Sequence, residues 1–581
     1  MYHLRKVGIV ATVLLILFTI TSVLPKALNP TPPSPEDEQR DKAWVSSSPY
    51  WIDRQLCTWL SVCGVHHMRW DDPAKPRGPP VEYTGELELK KRSLEAGTVR
   101  SSWEDAGKSA RVRARNEEKP SDIPDYVLNH APLVHLYSGE NFWPSDIAEH
   151  VQHTTPFVNK EPLNTTEPLS LANMYDLNAV PGMVFLTSDE DVEQRPEWLF
   201  SPGGEPKPFK GDEDVDGGFA PAEGHDTNED GQRSYTEDTT WWDVSKDSPL
   251  RRISAPQKPS EKRDMLSKLL RRRILSGDPS QKPFPPPGTP GHKPNASGYS
   301  AAPAVLVMVD KGSGILDAFW FFFYSYNLGQ TVLNMRFGNH VGDWEHCMVR
   351  FENGVPRAMF LSEHEGGQAF AWSALEKKRM NVTTSEGSEV VERPVIYSAV
   401  GSHAMYAFPG DHAYVLPFKM LKDQTDRGPL WDPAQNNYAY FYDHSATPPP
   451  PEDDEGRDEE GLSLDESTPY PFNATVLEAH AHRTNTTVSK RDGQSVGPTS
   501  LTPAASNPDA PTSWFHFDGP WGDELYALGD ERQWRLFGQY HYVTGPMGPK
   551  FKHLGREKVC QKDKCRILYS IEEGKKSSWH D

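Results

Sequence analysis

The chain has 581 residues, of which 36% are hydrophobic, 43 are Gly and 53 are Pro, so it exceeds the usual single domain but cannot all be core. This points to one folded unit interrupted by long loops. The net charge of −21 excludes the basic face that nucleic-acid binding needs; much of it sits in residues 212–238 (ten Asp/Glu against one Arg) and 451–466 (nine against one), which read as solvated inserts.

In chain order, the first six residues, MYHLRK, precede an uncharged run, VGIVATVLLILFTITSVL, over residues 7–24. Eighteen residues of helix span about 27 Å, close to the hydrocarbon thickness of a bilayer. The PKALNP that follows offers no small-x-small cleavage site, so the expectation is a signal anchor rather than a cleaved signal peptide on a secreted protein. Arg5 and Lys6 place residues 1–6 in the cytosol and the rest in a lumen, the topology of a type II single-pass endomembrane protein. Sequons at Asn164, Asn295, Asn381, Asn473 and Asn485 agree with luminal N-glycosylation.

Cys57, Cys63, Cys560 and Cys565 suit two disulfides in an oxidising compartment. If residues 51–63 were one helix, Cys57 and Cys63 would stand about 9 Å apart along its axis and on opposite sides. Cross-pairing to Cys560 and Cys565 is therefore expected. Cys347, inside an apolar run, reads as a buried free thiol.

Residues 25–121 comprise a short amphipathic helix in PYWIDRQLCTWLSVCGVHHMRW and then a stalk or linker. The body begins in residues 122–200, with a strand over Leu133–Tyr137 and a helix start capped by Pro144-Ser145-Asp146. Residues 201–300 form a Pro- and acid-rich insert broken by the basic EKRDMLSKLLRRRILSG, which reads as a solvated linker helix rather than a membrane-surface helix. Residues 301–444 hold the central β body. AVLVMVD and FWFFFYSYNLG read as buried strands, and EHCMVRFENGVPRAMFLSEHEGG as a hairpin around Asn-Gly. Residues 445–512 form a second insert, and 513–581 return to the body. Recurrent strands with few helices predict a mainly β protein, an antiparallel jelly-roll-like sandwich, with α+β as the alternative.

Six blocks together, APLVHLYSGENFWPSDI, GNHVGDWEHCMVRF, FLSEHEGG, PVIYSAVGSHAMYAFPG, GPWGDE and GPMGPKFKHLGREKVC, resemble the vacuolar protein sorting-associated protein 62 family of fungi and its plant relatives. They run in order from about residue 130 to 565. The resemblance implies a role in targeting proteins to the vacuole, with vacuolar cargo or sorting proteins as partners, and names no reaction. Both inserts fall between the blocks.

Three polar segments flank strands. In GDWEH, Asp343 and Glu345 share a strand face roughly 7 Å apart while Trp344 and His346 face the other side. Such a pair could serve a glycosidase, although Val341 stands where the Glu-x-Asp-x-Glu motif of jelly-roll glycosidases has its first acid. His403 beside Ser402 in GSHAMY could complete a catalytic set with Asp343 and Glu345, but no G-x-S-x-G elbow surrounds the Ser. His340, Asp343, His364 and His403 are the candidate metal ligands if the fold joins their segments. The sequence assigns no cofactor. The competing expectation is that these groups satisfy backbone donors at strand ends and bond one another across the sheet.

Overall fold

The computed structural model describes residues 50–70, 122–200, 292–444 and 500–576, apart from positions 166, 333, 365, 385–386, 414–421, 537 and 563–564, with a few isolated positions before residue 50. Asn473 and Asn485, and most of residues 7–24, lie outside the described residues. Among the described residues no helix is long and apolar enough to cross a membrane.

Three short helices precede the main sheets: α1 (Trp51–Leu60), α2 (Asp125–Asn129) and α3 (Ile147–Gln152). α3 starts where the sequence placed a cap, with the Asp146 carboxylate accepting from the Ala148 amide at 2.8 Å. The strands between and after them are β1 (Val62–Cys63), β2 (Leu133–His135), β3 (Thr154–Val158), β4 (Glu161–Pro162) and β5 (Val184–Ser188). The central run follows: β6 (Ala304–Gly312), β7 (Ile315–Asn327), β8 (Gln330–Val332), β9 (Met335–Phe337), β10 (His340–Glu352), β11 (Val355–Glu363) and β12 (Gly366–Ala371). Then come β13 (Lys377–Thr384), β14 (Gly387–Ser398), β15 (Met405–Tyr406), β16 (Gly410–Ala413), β17 (Lys422–Thr425), β18 (Leu430–Trp431) and β19 (Asn437–Tyr442). The chain closes with β20 (Leu501–Pro503), β21 (Arg535–Leu536), β22 (Gln539–Tyr540), β23 (Ile567–Leu568) and α4 (Ile571–Gly574).

The protein is mainly β with few helices. Its largest sheet is open and has eight strands, ordered β20-β19-β6-β7-β10-β11-β12-β23. A second, ordered β13-β14-β2-β18 with β15 on β14, has five. Pairing is mostly antiparallel as expected, but β6–β19, β2–β14 and β12–β23 are parallel. The Asn-Gly hairpin forms as read: Glu352 pairs with Val355, and Asn353 and Gly354 both take positive φ (49° and 77°), as a two-residue primed turn requires.

Alternation along β7 divides the core. Phe319, Phe321 and Phe323 enter one cluster with Ile147, Leu186, Trp514 and Trp521. Trp320, Phe322 and Tyr324 enter another, with Val134, Ile396, Met405 and Trp431 from the five-stranded sheet. Period-two patterning thus buries both faces of the strand, which is why its sequence reads as a continuous aromatic run. On β10 the same rule sends Trp344 and Met348 to the first cluster and Cys347 and Val349 to the second. Cys347 is the buried free thiol expected. Asp343 and Glu345 therefore face the layer shared with the smaller sheet. Residues 292–300 and 500–512, at the edges of the two inserts, are packed into the body; Ser300 Oγ, for instance, donates to the His292 carbonyl at 2.5 Å.

The cross-paired disulfides expected between the chain ends do not form. Cys57 bonds Cys63, and Cys560 bonds Cys565, with Cα–Cα distances of 4.4 and 5.1 Å. The helical premise fails at Leu60: Ser61 adopts the left-handed conformation (φ 55°) and ends α1, and the chain doubles back so that Cys63 on β1 faces Cys57. A non-reducing proteolytic digest analysed by mass spectrometry is expected to yield these two short-loop linkages. A peptide joining either of the first two cysteines to either of the last two would contradict the fold.

Candidate functional site

The GDWEH, SEHEGG and GSHAMY segments converge beneath the smaller sheet. Two glycines make the approach possible. Gly342 has φ +70° and a Cβ there would meet the Trp521 carbonyl oxygen at 2.4 Å; Gly401 has φ +72° and would meet that of Leu328 at 2.3 Å. These close backbone contacts fix the registers of Asp343 and of the turn carrying Ser402 and His403.

His403 is fully buried in the turn between β14 and β15, itself left-handed at φ 54°. Its Nδ1 lies 2.9 Å from Asp343 Oδ2 and its Nε2 3.2 Å from the Phe142 carbonyl. The ring stacks on Tyr324 at 3.6 Å, nearly parallel. Glu140 Oε2, 3.7 Å from His403 Nε2, also accepts from the Gly401 amide at 2.9 Å, so it ties the turn to the segment after β2.

Asp423 on β17 is the second centre. Fully buried, it accepts from Gln330 Nε2 (2.9 Å) and Ser402 Oγ (2.8 Å) on one oxygen, and from Tyr406 OH (2.8 Å) and His364 Nε2 (2.7 Å) on the other. Burial alone would raise its carboxyl; the His364 charge and these donors hold it below its ordinary value. Burial also opposes charge on His364, but the Asp423 carboxylate overrides it and raises the imidazole to about 9.

Glu345 behaves in the opposite way. Burial first, and then the Asp343 charge on the same strand face, push its carboxyl up to about 8, and it accepts a hydrogen bond from Ser362 Oγ. Glu363, 2% exposed, is raised well above the carboxylate range by burial and by Asp423 and Glu345, and its Oε1 has no hydrogen-bond partner. His340 is half-buried, with Nδ1 2.6 Å from the Gly342 carbonyl, and burial lowers its pKa.

At neutral pH the cluster thus holds a protonated Glu345, with Glu363 raised in the same direction, beside an Asp423–His364 ion pair. Environments that push neighbouring carboxyls apart in this way separate a potential acid from a potential base. Asp343 and His403 meet directly, and His364 joins them through Asp423 and Ser402. His340 is within electrostatic reach of the same centre, where the Asp343 charge opposes the effect of burial on its imidazole. Among the described residues, however, no group of three or more His, Cys, Asp or Glu stands where it could hold a metal ion. Asn164 is exposed, Asn295 has its side-chain oxygen engaged by Ser297 and Tyr299, and Asn381 lies on β13.

Sequence reading missed Asp423 and Glu140. Asp423 lies in KDQT, a polar tetrad with no apolar alternation, and Glu140 in a Gly-containing loop, so neither carried a periodic signal. Glu363 and Ser362 stood inside a segment already singled out, with no feature to separate them from His364.

Fold and cluster together define a mainly β protein organised around a buried acid–histidine centre. The chain belongs to the vacuolar protein sorting-associated protein 62 family. It is 31% identical over 471 residues to the Saccharomyces cerevisiae protein TDA6, which is provisionally named as a vacuolar protein sorting-associated protein; the match covers 77% of this chain and 70% of that one. It is 30% identical over 461 residues to vacuolar protein sorting-associated protein 62 of the same yeast, covering 76% and 68%. The family model for vacuolar protein sorting-associated protein 62 matches residues 311–416, from β6 to just past β16, including the GDWEH, SEHEGG and GSHAMY segments. No solved structure matches the chain.

Proposed function

We propose that this chain is a membrane-anchored endomembrane factor that takes part in delivering proteins to the vacuole, held by residues 7–24 with its body in the lumen. The kinship over about three quarters of the chain with two proteins named for vacuolar sorting carries this reading. Two formed disulfides support the luminal side, because such bonds persist in oxidising compartments. In this reading the two larger sheets act as the layers of a jelly-roll-like sandwich, and the acid–histidine centre holds their junction in one arrangement.

A second reading is favoured by one observation: Glu345 keeps its proton to about pH 8 on the same strand face as Asp343, as a general acid would. On that reading the body is a luminal hydrolase using Asp343, Glu345 and His403. Vacuolar cargo delivery, measured as retention of a soluble vacuolar marker in cells, separates the two. Deleting the body is expected to send the marker to the medium, while Asp343→Asn with Glu345→Gln leaves delivery intact; loss of delivery in the folded double variant favours the hydrolase. Protease protection and glycosidase treatment of vesicles test the topology: digestion of the body from the cytosolic side overturns it.

A further inference from the structure

Large apolar side chains that remain in water are unevenly distributed. Among the described residues with large exposed hydrophobic side chains, only Val355, Val390 and Tyr569 lie beyond residue 70. α1 and its flanks carry Tyr50 (50% exposed), Trp51 (65%), Ile52 (64%), Trp59 (65%) and Trp70 (70%). Trp51, Ile52 and Trp59 occupy one side of α1, because positions one, two and nine of a 3.6-residue helix share a face.

The opposite side is bolted to the body. Asp53, 2% exposed, accepts from the Gly64 and Val65 amides at 2.9 and 3.3 Å and meets His66 Nδ1 at 2.6 Å. The Cys57–Cys63 disulfide closes the turn, β1 pairs with β21, and Arg69 bonds buried Glu193 at 2.6 Å. The aromatic face is thus held outward rigidly, and ordering it on a partner costs little additional entropy.

We propose that this face of α1 is a bilayer-contact surface, seated in the headgroup region of the membrane that residues 7–24 are proposed to cross. The proposal rests on that anchor. Three observations select a lipid surface. Tyr and Trp, with an apolar body and a polar edge, are the side chains that settle at the membrane–water interface. Residues 50–70 carry Arg54 and Arg69 against Asp53 alone, and Arg69 is paired with Glu193, so in a chain of net charge −21 this segment presents no excess of acid that would repel anionic lipid. Only residues 25–50 separate the apolar run from the helix, so the anchor supplies a high local concentration of membrane and even weak interfacial affinity suffices.

Tryptophan quenching in the full-length chain, reconstituted into vesicles of zwitterionic and anionic phospholipid brominated high on the acyl chain, tests this. Trp320, Trp344, Trp431, Trp514, Trp521 and Trp534 are fully buried and out of reach. Quenching is expected in the wild type and at least a twofold reduction of its amplitude in Trp51→Phe/Trp59→Phe, which keeps the apolar face but removes two fluorophores. Equal quenching in the two proteins, or none in either, overturns the proposal. A change of oligomeric mass in Trp51→Ser/Trp59→Ser without wild-type quenching assigns the face to a second copy of the chain instead. Resistance to carbonate extraction, measured on the same vesicles, reports the anchor separately: extraction with quenching retained defeats the anchor and leaves the contact surface standing.

Discussion

Arg393→Ala is expected to destabilise the protein by about 3–5 kcal/mol, because it strands a buried carboxylate. Arg393 is fully buried, with its guanidinium bonded to both oxygens of Asp432 at 2.9 and 2.5 Å. It also donates to the carbonyls of Ala131 (2.8 Å) and Pro132 (3.2 Å), so one side chain links β14 to the start of β2 and to the segment after β18. Removing it leaves Asp432, 2% exposed, without its cation. Replacing both partners by apolar residues of similar size removes the charge as well as its mate, so Arg393→Met/Asp432→Leu should lose less than the single change. Urea unfolding of the three proteins measures the difference. A loss below about 1 kcal/mol in Arg393→Ala, the range of exposed pairs, would show that the pair is not desolvated in solution.

Asp423→Ala is expected to cost a similar amount, about 3–5 kcal/mol, and to change how stability depends on pH. Four donors lose their acceptor at once, and His364 loses the carboxylate that raises it from 6.5 to about 9. With the folded pKa above the unfolded one, the contribution of His364 is fully present below about pH 6.5 and fades as pH rises through about 9. Glu345 acts in the same direction over a lower window. Raised from 4.5 to about 8, its carboxyl binds a proton in the folded state that the unfolded chain has released, so stability falls as pH rises between those values. Above about pH 6.5, where the imidazoles of His150, His412 and His516, held low by burial, are neutral in both states, wild-type stability should therefore decline toward pH 9. Glu345→Gln flattens the lower part of that decline and Asp423→Ala the upper part. Urea midpoints taken between about pH 6.5 and pH 9 read both slopes; parallel profiles in wild type and variants would refute the assigned ion pair and the protonated acid.

Much of this centre was visible in the sequence because its residues sit on strands whose periodicity is unambiguous. Asp343 and Glu345 face one way because Trp344 and Met348 must face the other, and the Asn-Gly turn fixes the register of β11 against β10. The Ser402–His403 turn was legible as a Gly-bearing loop at the end of an apolar strand. What the sequence hid is what depends on long closure: Asp423 and Glu140 reach the centre from short segments whose local pattern is polar and featureless. The disulfides were misread for a local reason. A single left-handed residue at Ser61 reverses the chain, and Ser is an uncommon residue for that conformation, so the sequence carried no stop signal of the usual Gly type.

The position of β2 bears on how the protein is made. It lies between β14 and β18, strands synthesised about 260 and about 295 residues later, and Glu140 contacts Gly401 across a separation of 261. α3 waits longer still, since His150 Nε2 meets the Trp521 carbonyl 371 residues on. A chain emerging from the amino terminus therefore forms the local β3–β4–β5 sheet early but leaves β2 and α3 without these partners until the distant segments emerge. The Cys57–Cys63 disulfide, closing a separation of six residues, can form as soon as that pair emerges, well before the large sheets can assemble, whereas Cys560 and Cys565 emerge after every described strand but β23. The buried strand β2 is thus exposed as an unpaired, apolar segment while some 260 further residues are made, a state in which such strands are prone to aggregate.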